Sequence, residues 1–192
     1  MKIYLLSIDR EMVSAWEKYF EGYKNVEAVC DDFCRFMENN DVDCVVSPAN
    51  SFGLMDGGYD EAITEWFGDE LQNSVQAYIM QNYFGEQPVG SSFIIDTPQE
   101  GIRLIHTPTM RIPENIYDDA VIYHCMRTCL MVAIQNDVKS IVIPAFGAAT
   151  GRVPCETVAK MMWKALEQIN RKNKEISWEN AVLTHFREWD YY

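Results

Sequence analysis

The sequence predicts an α/β fold of three layers, helices on both faces of a mixed, mostly parallel central sheet. Three observations predict it. Short apolar runs alternate along the chain with longer segments of helical periodicity. Two of those runs, "CVVSPA" and "SIVIPAF", are continuously apolar, as in strands buried on both faces. Each of the two ends in a loop of small residues that leads into a helix, the grammar of parallel crossovers. At 192 residues the chain suits one domain spanning 1–192, with no repeat, low-complexity tract or linker to divide it.

The elements follow in order. "IYLLSI" reads as a first strand, and "REMVSAWEKYF" as a helix with Met12, Val13, Trp16 and Phe20 on one face. A strand over residues 26–29 precedes "CDDFCRFMENN", a turn into a brief helix. "DCVVSPA" is a buried strand, and residues 60–67 and 69–83 are helices parted by Gly68. "SSFIID" and "RLIHT", joined by the turn "TPQEG", form an antiparallel pair. An apolar helix over residues 120–135 leads to the strand "SIVIPAF", the loop "GAATGRVP" and a helix over residues 155–170. "NAVLTHF" is expected to be a last strand.

Composition excludes several classes of function. No apolar run is long enough to cross a bilayer, and the N-terminal apolar stretch ends in charges without a cleavage site for a signal peptide. A cytoplasmic protein is the expectation. The formal net charge of −13 argues against general nucleic-acid or anionic-membrane binding, which needs clustered Lys and Arg. It leaves room for one small anion held by backbone N–H groups at a helix N-terminus. The six cysteines include no C-x-x-C pair and read as buried free thiols of a reducing compartment, with no metal, cofactor or disulfide expected.

The chemistry concentrates where the two buried strands end. The first loop runs Asn50-Ser51-Phe52-Gly53-Leu54-Met55-Asp56-Gly57-Gly58-Tyr59-Asp60, and the second runs Ala145-Phe146-Gly147-Ala148-Ala149-Thr150-Gly151-Arg152. The crevice beyond the carboxyl ends of parallel strands is the expected ligand site of such a sheet. Loops poor in bulky side chains let N–H groups approach phosphate oxygens, and the following helix adds its dipole. On neighbouring strands, the two loops could grip a diphosphate from both sides. Neither loop contains G-x-x-x-x-G-K-[ST] or G-x-G-x-x-G, which argues against kinase-like and nicotinamide-dehydrogenase readings.

From about residue 26 to 186 the chain resembles the macro domain family of ADP-ribose-binding modules and hydrolases. "VDCVVSPANS", "DGGYDEAI", "RLIHTPTMRIP" and "SIVIPAFGAATGRVP" carry the resemblance, in the family's order and spacing, with wording similar to variants from bacteria and their viruses. The resemblance implies that Asn50 holds the distal ribose and that Asp60 helps activate a water near the anomeric carbon. These are the two catalytic candidates. Ser51, Gly57, Gly58 and Tyr59 would pass close to the ribose and diphosphate, and Gly147, Ala148, Ala149, Thr150, Gly151 and Arg152 would wrap the phosphates. Asp32, with Phe33 beside it, resembles the acidic residue that recognises the adenine amino group, and Phe186 is a candidate for stacking on adenine.

Each residue also has a plainer role. Asn50 can cap its own turn, and Asp60 is a good N-cap for the helix "EAITEWF". His106 on an apolar strand reads first as a satisfied core histidine. Arg111 and Arg152 are loop cations placed for a phosphate or for solvent. The chain departs from the family pattern at Asp56, where many members have glycine, and at Ala149, where glycine's access to positive φ would be lost. The implied activity is hydrolysis of ADP-ribose from a modified target. The alternatives are an ADP-ribose-1″-phosphate phosphatase, a non-catalytic ADP-ribose reader, and a scaffold without ligand.

Overall fold

Six strands, β1 (Lys2–Ser7), β2 (Val26–Cys30), β3 (Cys44–Ser47), β4 (Phe93–Asp96), β5 (Arg103–His106) and β6 (Ser140–Pro144), form one sheet in the order β2-β1-β6-β3-β5-β4. This computed structural model describes residues 1–171 and 175–182. Neighbouring strands run parallel except β4 and β5, whose antiparallel register pairs Phe93 with His106 and Asp96 with Arg103. The two strands that end in small-residue loops, β3 and β6, are neighbours, with Cys44 opposite Ile141 and Val45 opposite Val142.

The continuous apolar runs are explained by the two faces they serve. Cys44, Val46, Ile141 and Ile143 point into a core shared with α1 (Arg10–Tyr19), α5 (Ala120–Gln135) and α6 (Cys155–Asn170), where Trp16, Met126, Leu130 and Met162 are buried. Val45, Leu104 and Val142 point the other way, into a core built with α2 (Phe33–Asn39), α3 (Gly58–Phe67) and α4 (Glu70–Tyr83) around Phe36, Ile63, Leu71 and Ile79. Alternate residues of the central strands therefore meet apolar surface on both sides, and no polar alternation survives.

Polar ties fix the ends of the elements. Asp9 caps α1 by accepting from the Glu11 N–H at 2.9 Å. At the N-terminal edge of the sheet, Asp43 accepts from the Lys139 N–H at 2.9 Å and from the Ser140 N–H and hydroxyl, each at 2.5 Å. Partial burial alone would raise this carboxyl, but those bonds favour the charged form and together hold it below the usual range.

The strand expected at "NAVLTHF" does not begin as predicted. Residues Trp178–Val182 form a short helix, α7, which starts at Ser177. The Ser177 hydroxyl accepts from the Asn180 N–H at 3.2 Å and its carbonyl from the Ala181 N–H at 2.9 Å. This local cap outweighs the strand propensity of the apolar residues that follow. Phe186 lies outside the described residues. Among the described residues, no helix is long and apolar enough to cross a membrane.

Candidate functional site

Because β1, β2, β3, β5 and β6 are mutually parallel, their carboxyl ends share one edge, and the connections that follow them gather there. The connection after β5 reaches the one after β6, where the Ile116 N–H donates to the Gly151 carbonyl at 2.9 Å. The starts of α2 and α3 also meet: the Phe33 and Tyr59 rings pack edge to face, 5.3 Å apart. Helix N-termini bring orphan N–H groups and partial positive charge to this edge, which suits an anion.

Asn50 organises the loop after β3. Its Oδ1 accepts from the N–H groups of Phe52 (3.0 Å) and Leu54 (3.3 Å), and its Nδ2 donates to the Leu54 carbonyl at 2.7 Å. The turn-forming role of this asparagine is thus realised, yet among the described residues only one of its two amide hydrogens is used. Ser51 is buried, and its backbone joins three segments through bonds from its N–H to the Arg111 carbonyl and from the Gln87 N–H to its own carbonyl. Met55 is buried, whereas Asp56, Gly57 and Gly58 form an exposed lip.

The glycines of the two loops differ in kind. At Gly147, with φ of +74°, a β-carbon would stand 2.6 Å from Ile122 Cδ1, and at Gly151 it would stand 2.6 Å from the Gly147 carbonyl oxygen. Packing within the protein requires both. At Gly57 and Gly58 a β-carbon would meet nothing within 4 Å. Gly58 needs its freedom for a φ of +62°, but Gly57 has φ of −160°, which any residue adopts. Nothing inside the described chain accounts for the missing side chain at Gly57.

Asp60 is not the N-cap of α3. That position falls to Gly57, and Asp60 lies one turn in, 8% exposed, with Oδ1 accepting from the Ser47 hydroxyl at 2.6 Å. Burial disfavours the carboxylate and the Ser47 bond favours it; burial is the larger, and the pKa is pushed up to about 7. The cap shifts because Gly58 turns the chain into the helix earlier than the sequence suggested. Ser47 itself was not singled out by sequence reasoning, although a hydroxyl closing a run of buried apolar residues was a usable signal.

Beside Ser47 in the parallel register lies His106, fully buried and stacked on Phe93 at 5.2 Å between ring centres. Its Nδ1 meets Gln87 Oε1 at 2.6 Å, so Nδ1 carries the proton, and Nε2 has no partner among the described residues. Burial lowers its pKa to about 3, keeping the ring neutral. His106 is thus in the core as expected, but it is satisfied among the described residues at only one of its two ring nitrogens.

On the opposite flank, Asp32 caps α2 through Oδ1, which accepts from the N–H groups of Cys34 (3.0 Å) and Arg35 (3.3 Å), while its side chain stays exposed. Asp31 instead pairs with Arg35 at 3.3 Å. The Phe33 ring is buried, so what it offers the crevice is backbone rather than an aromatic face. The Tyr59 hydroxyl is buried without a partner among the described residues, and burial, then the Asp60 and Asp32 charges, raises it well above its usual pKa.

In the second loop Ala149, Thr150 and Arg152 are exposed, Ala148 is half-buried, and Gly147 and Gly151 are buried. Ala149 does not need glycine's freedom, because the positive φ values there fall at Gly147 and at Arg152 (+53°). Arg111 is committed elsewhere: its Nε and guanidinium hydrogens bond both oxygens of Glu86 at 2.8 and 3.1 Å, and it lies over the Phe52 ring. Arg152 has no ion pair among the described residues.

No group of three or more potential metal ligands is found among the described residues, and the cysteines are free. A cleft of about 520 Å³ opens at the opposite edge of the sheet, lined in part by Trp66, Gln99 and Asp43. The Asp43 oxygens there already accept from Lys139 and Ser140.

The Macro domain family model matches residues 46–162. A protein of Aquifex aeolicus with no assigned activity is 30% identical over 135 residues, covering 69% of this chain and 77% of its own. Among solved structures, the macrodomain of Mycobacterium tuberculosis DarG aligns with a TM-score of 0.59 at 21% identity, over 68% of this chain and 85% of its own. The Oceanobacillus iheyensis macrodomain, solved with ADP, aligns with a TM-score of 0.60 at 23% identity, over 69% of this chain and 71% of its own. A variant of that macrodomain has been solved with ADPR, at 21% identity and a TM-score of 0.61 over 72% of this chain and 76% of its own.

Proposed function

Because this chain belongs to the macro domain family, we propose that its crevice binds ADP-ribose and hydrolyses it from a modified target. The observation that carries the reading is the Gly57 lip: exposed backbone, free of any packing need for glycine, in the connection that follows β3, whose neighbour β6 leads into the second small-residue loop. A diphosphate and ribose are the groups that such bare N–H-bearing backbone accommodates. The ligands of the Oceanobacillus relatives are of this class. The reading treats residues 1–192 as one domain working in the cytoplasm; β1 and β2 precede the family match yet lie in the same sheet.

In this reading the second amide hydrogen of Asn50 donates to a hydroxyl of the distal ribose. The N–H groups around Gly57–Tyr59 and Gly147–Arg152 hold the diphosphate, with Arg152 adding charge, and Asp32 takes the adenine amino group. For ADP-ribose on a carboxylate, water adds to the anomeric carbon as its bond to the ester oxygen breaks. Asp60 accepts a proton from that water and later releases it to solvent, and the products are free ADP-ribose and the acceptor's carboxylate. A carboxyl poised near pH 7 suits that exchange. The main contribution of the protein is positioning and a fixed set of donors.

Asn50→Ala and Asp60→Ala are expected to lower single-turnover release of ADP-ribose by about 10²-fold or more, a loss typical of a missing base or donor. Both should retain cooperative melting, with Asn50→Ala lower by roughly 1–2 kcal/mol for its lost loop bonds. Full turnover in both variants would sink the hydrolytic reading. The near-complete burial of Asp60 favours one rival, a reader that binds ADP-ribose without cleaving it; binding without product in the unmodified protein identifies it.

A further inference from the structure

The charge at the distal end of the crevice bears on which substituent the bound ribose carries. Asp56 is exposed on the lip immediately before Gly57, where it closes the loop that Asn50 organises. Asn50 Nδ2 lies 2.7 Å from the Leu54 carbonyl. Two residues of chain reach at most about 7 Å beyond that point. The Asp56 backbone is therefore held within about 10 Å of the amide assigned to the distal ribose, roughly one Debye length at moderate salt. The neighbouring Asp60 adds a second carboxyl on the same connection.

Among the described residues, Asp56 has no ion pair. Arg111, whose carbonyl accepts from the Ser51 N–H beside the Asn50 turn, is neutralised by both oxygens of Glu86. Arg152 belongs to the other loop, which the ADP-ribose reading assigns to the diphosphate. The diphosphate end thus has backbone donors and a cation, and the ribose end has carboxyl groups.

We propose that Asp56 is a specificity-determining residue that selects against a phosphate on the anomeric carbon and favours ADP-ribose whose substituent is neutral or cationic, as on a protein side chain. The proposal rests on the ADP-ribose reading of the crevice. It concerns the substrate class within that reading, and it sets a side-chain hydrolase apart from a 1″-phosphate phosphatase. A phosphate monoester carries close to two negative charges at neutral pH. Against one carboxylate at about 10 Å in a water-like medium, that repulsion weakens binding about fourfold.

The test is the ratio of dissociation constants for ADP-ribose-1″-phosphate and ADP-ribose, measured by calorimetry at low salt. The unmodified protein should favour ADP-ribose. Asp56→Asn should improve the ratio for the 1″-phosphate about fourfold, and raising the salt to 0.5 M should shrink that gain to less than about twofold. Asp96→Asn changes the net charge equally at the opposite edge of the sheet, at the end of β4, and should leave the ratio unchanged. If both ligands bind the unmodified protein and Asp56→Asn leaves the ratio as it was, the specificity proposal is wrong while the ADP-ribose reading stands. If a folded protein binds neither ligand, the ADP-ribose reading itself fails and takes the proposal with it.

Discussion

Gly57→Thr is expected to weaken ADP-ribose binding by at least about 100-fold while leaving the melting temperature within about 2 °C of the parent. The two halves of this result come from one geometric fact. A β-carbon at Gly57 meets nothing within 4 Å, and the backbone there is extended, so the protein has no internal objection to a side chain. Gly57 is also the N-cap of α3, and threonine serves as an N-cap about as well as glycine does. If ribose and diphosphate lie against this backbone, the added branched side chain occupies their space and holds the N–H groups away from them. The same substitution at Gly147 should act oppositely, because its side chain would enter Ile116 and Ile122 and lower stability whatever the ligand does. Isothermal titration and thermal melting on the two variants separate a binding glycine from a packing glycine. Unchanged affinity in Gly57→Thr would mean that the lip faces solvent in the complex as well.

The second large effect concerns pH. The unmodified protein should show nearly constant stability between about pH 4 and 6.5, because two buried groups oppose each other. Asp60 rises from 3.8 when unfolded to about 7 when folded, so its contribution is complete at low pH and is lost as pH rises through 7. His106 falls from 6.5 to about 3, so its contribution is complete above 6.5 and is lost as pH falls through 3. Where the windows overlap, each alone would change stability by about 1 kcal/mol per pH unit, in opposite directions. Asp60→Asn keeps an acceptor for Ser47 and removes the first slope, so its stability should climb with pH up to 6.5. His106→Gln keeps a partner for Gln87 and removes the second, so its stability should decline with pH up to about 7. Denaturant unfolding at fixed pH values between 4 and 8 measures both. Parallel pH profiles for the three proteins would show that these groups titrate as they do in the unfolded chain.

How much of this was legible in the sequence depends on the range of the cause. The uninterrupted apolar runs announced central strands, and Val45 and Val46 show why: they serve opposite cores. The two small-residue loops could be found by composition, and the sheet order confirms that their strands are neighbours. Local sequence misplaced the cap of α3, because Asp60 looks like a cap until Gly58's positive φ starts the helix earlier. It also assigned a need for glycine at Ala149, although the loop takes its left-handed turns at Gly147 and Arg152.

What was not legible rests on partners far apart in the chain. Arg111 looked available for a phosphate until Glu86 was found against it, and the Ser47–Asp60 bond joins a strand to the helix beyond the loop. Two glycines in loops of small residues can differ wholly in what surrounds them, as Gly57 and Gly147 do. The N-terminal strand and helix were legible as elements, but their position beside β6 came only from the sheet order.

The most direct measurement is a calorimetric titration of the folded, unmodified protein with ADP-ribose. Saturable binding with one site per chain is the predicted result, with a dissociation constant in the micromolar range, about −8 kcal/mol. The absence of binding heat at two temperatures, with the protein shown to be folded in the same cell, would contradict the account at its centre.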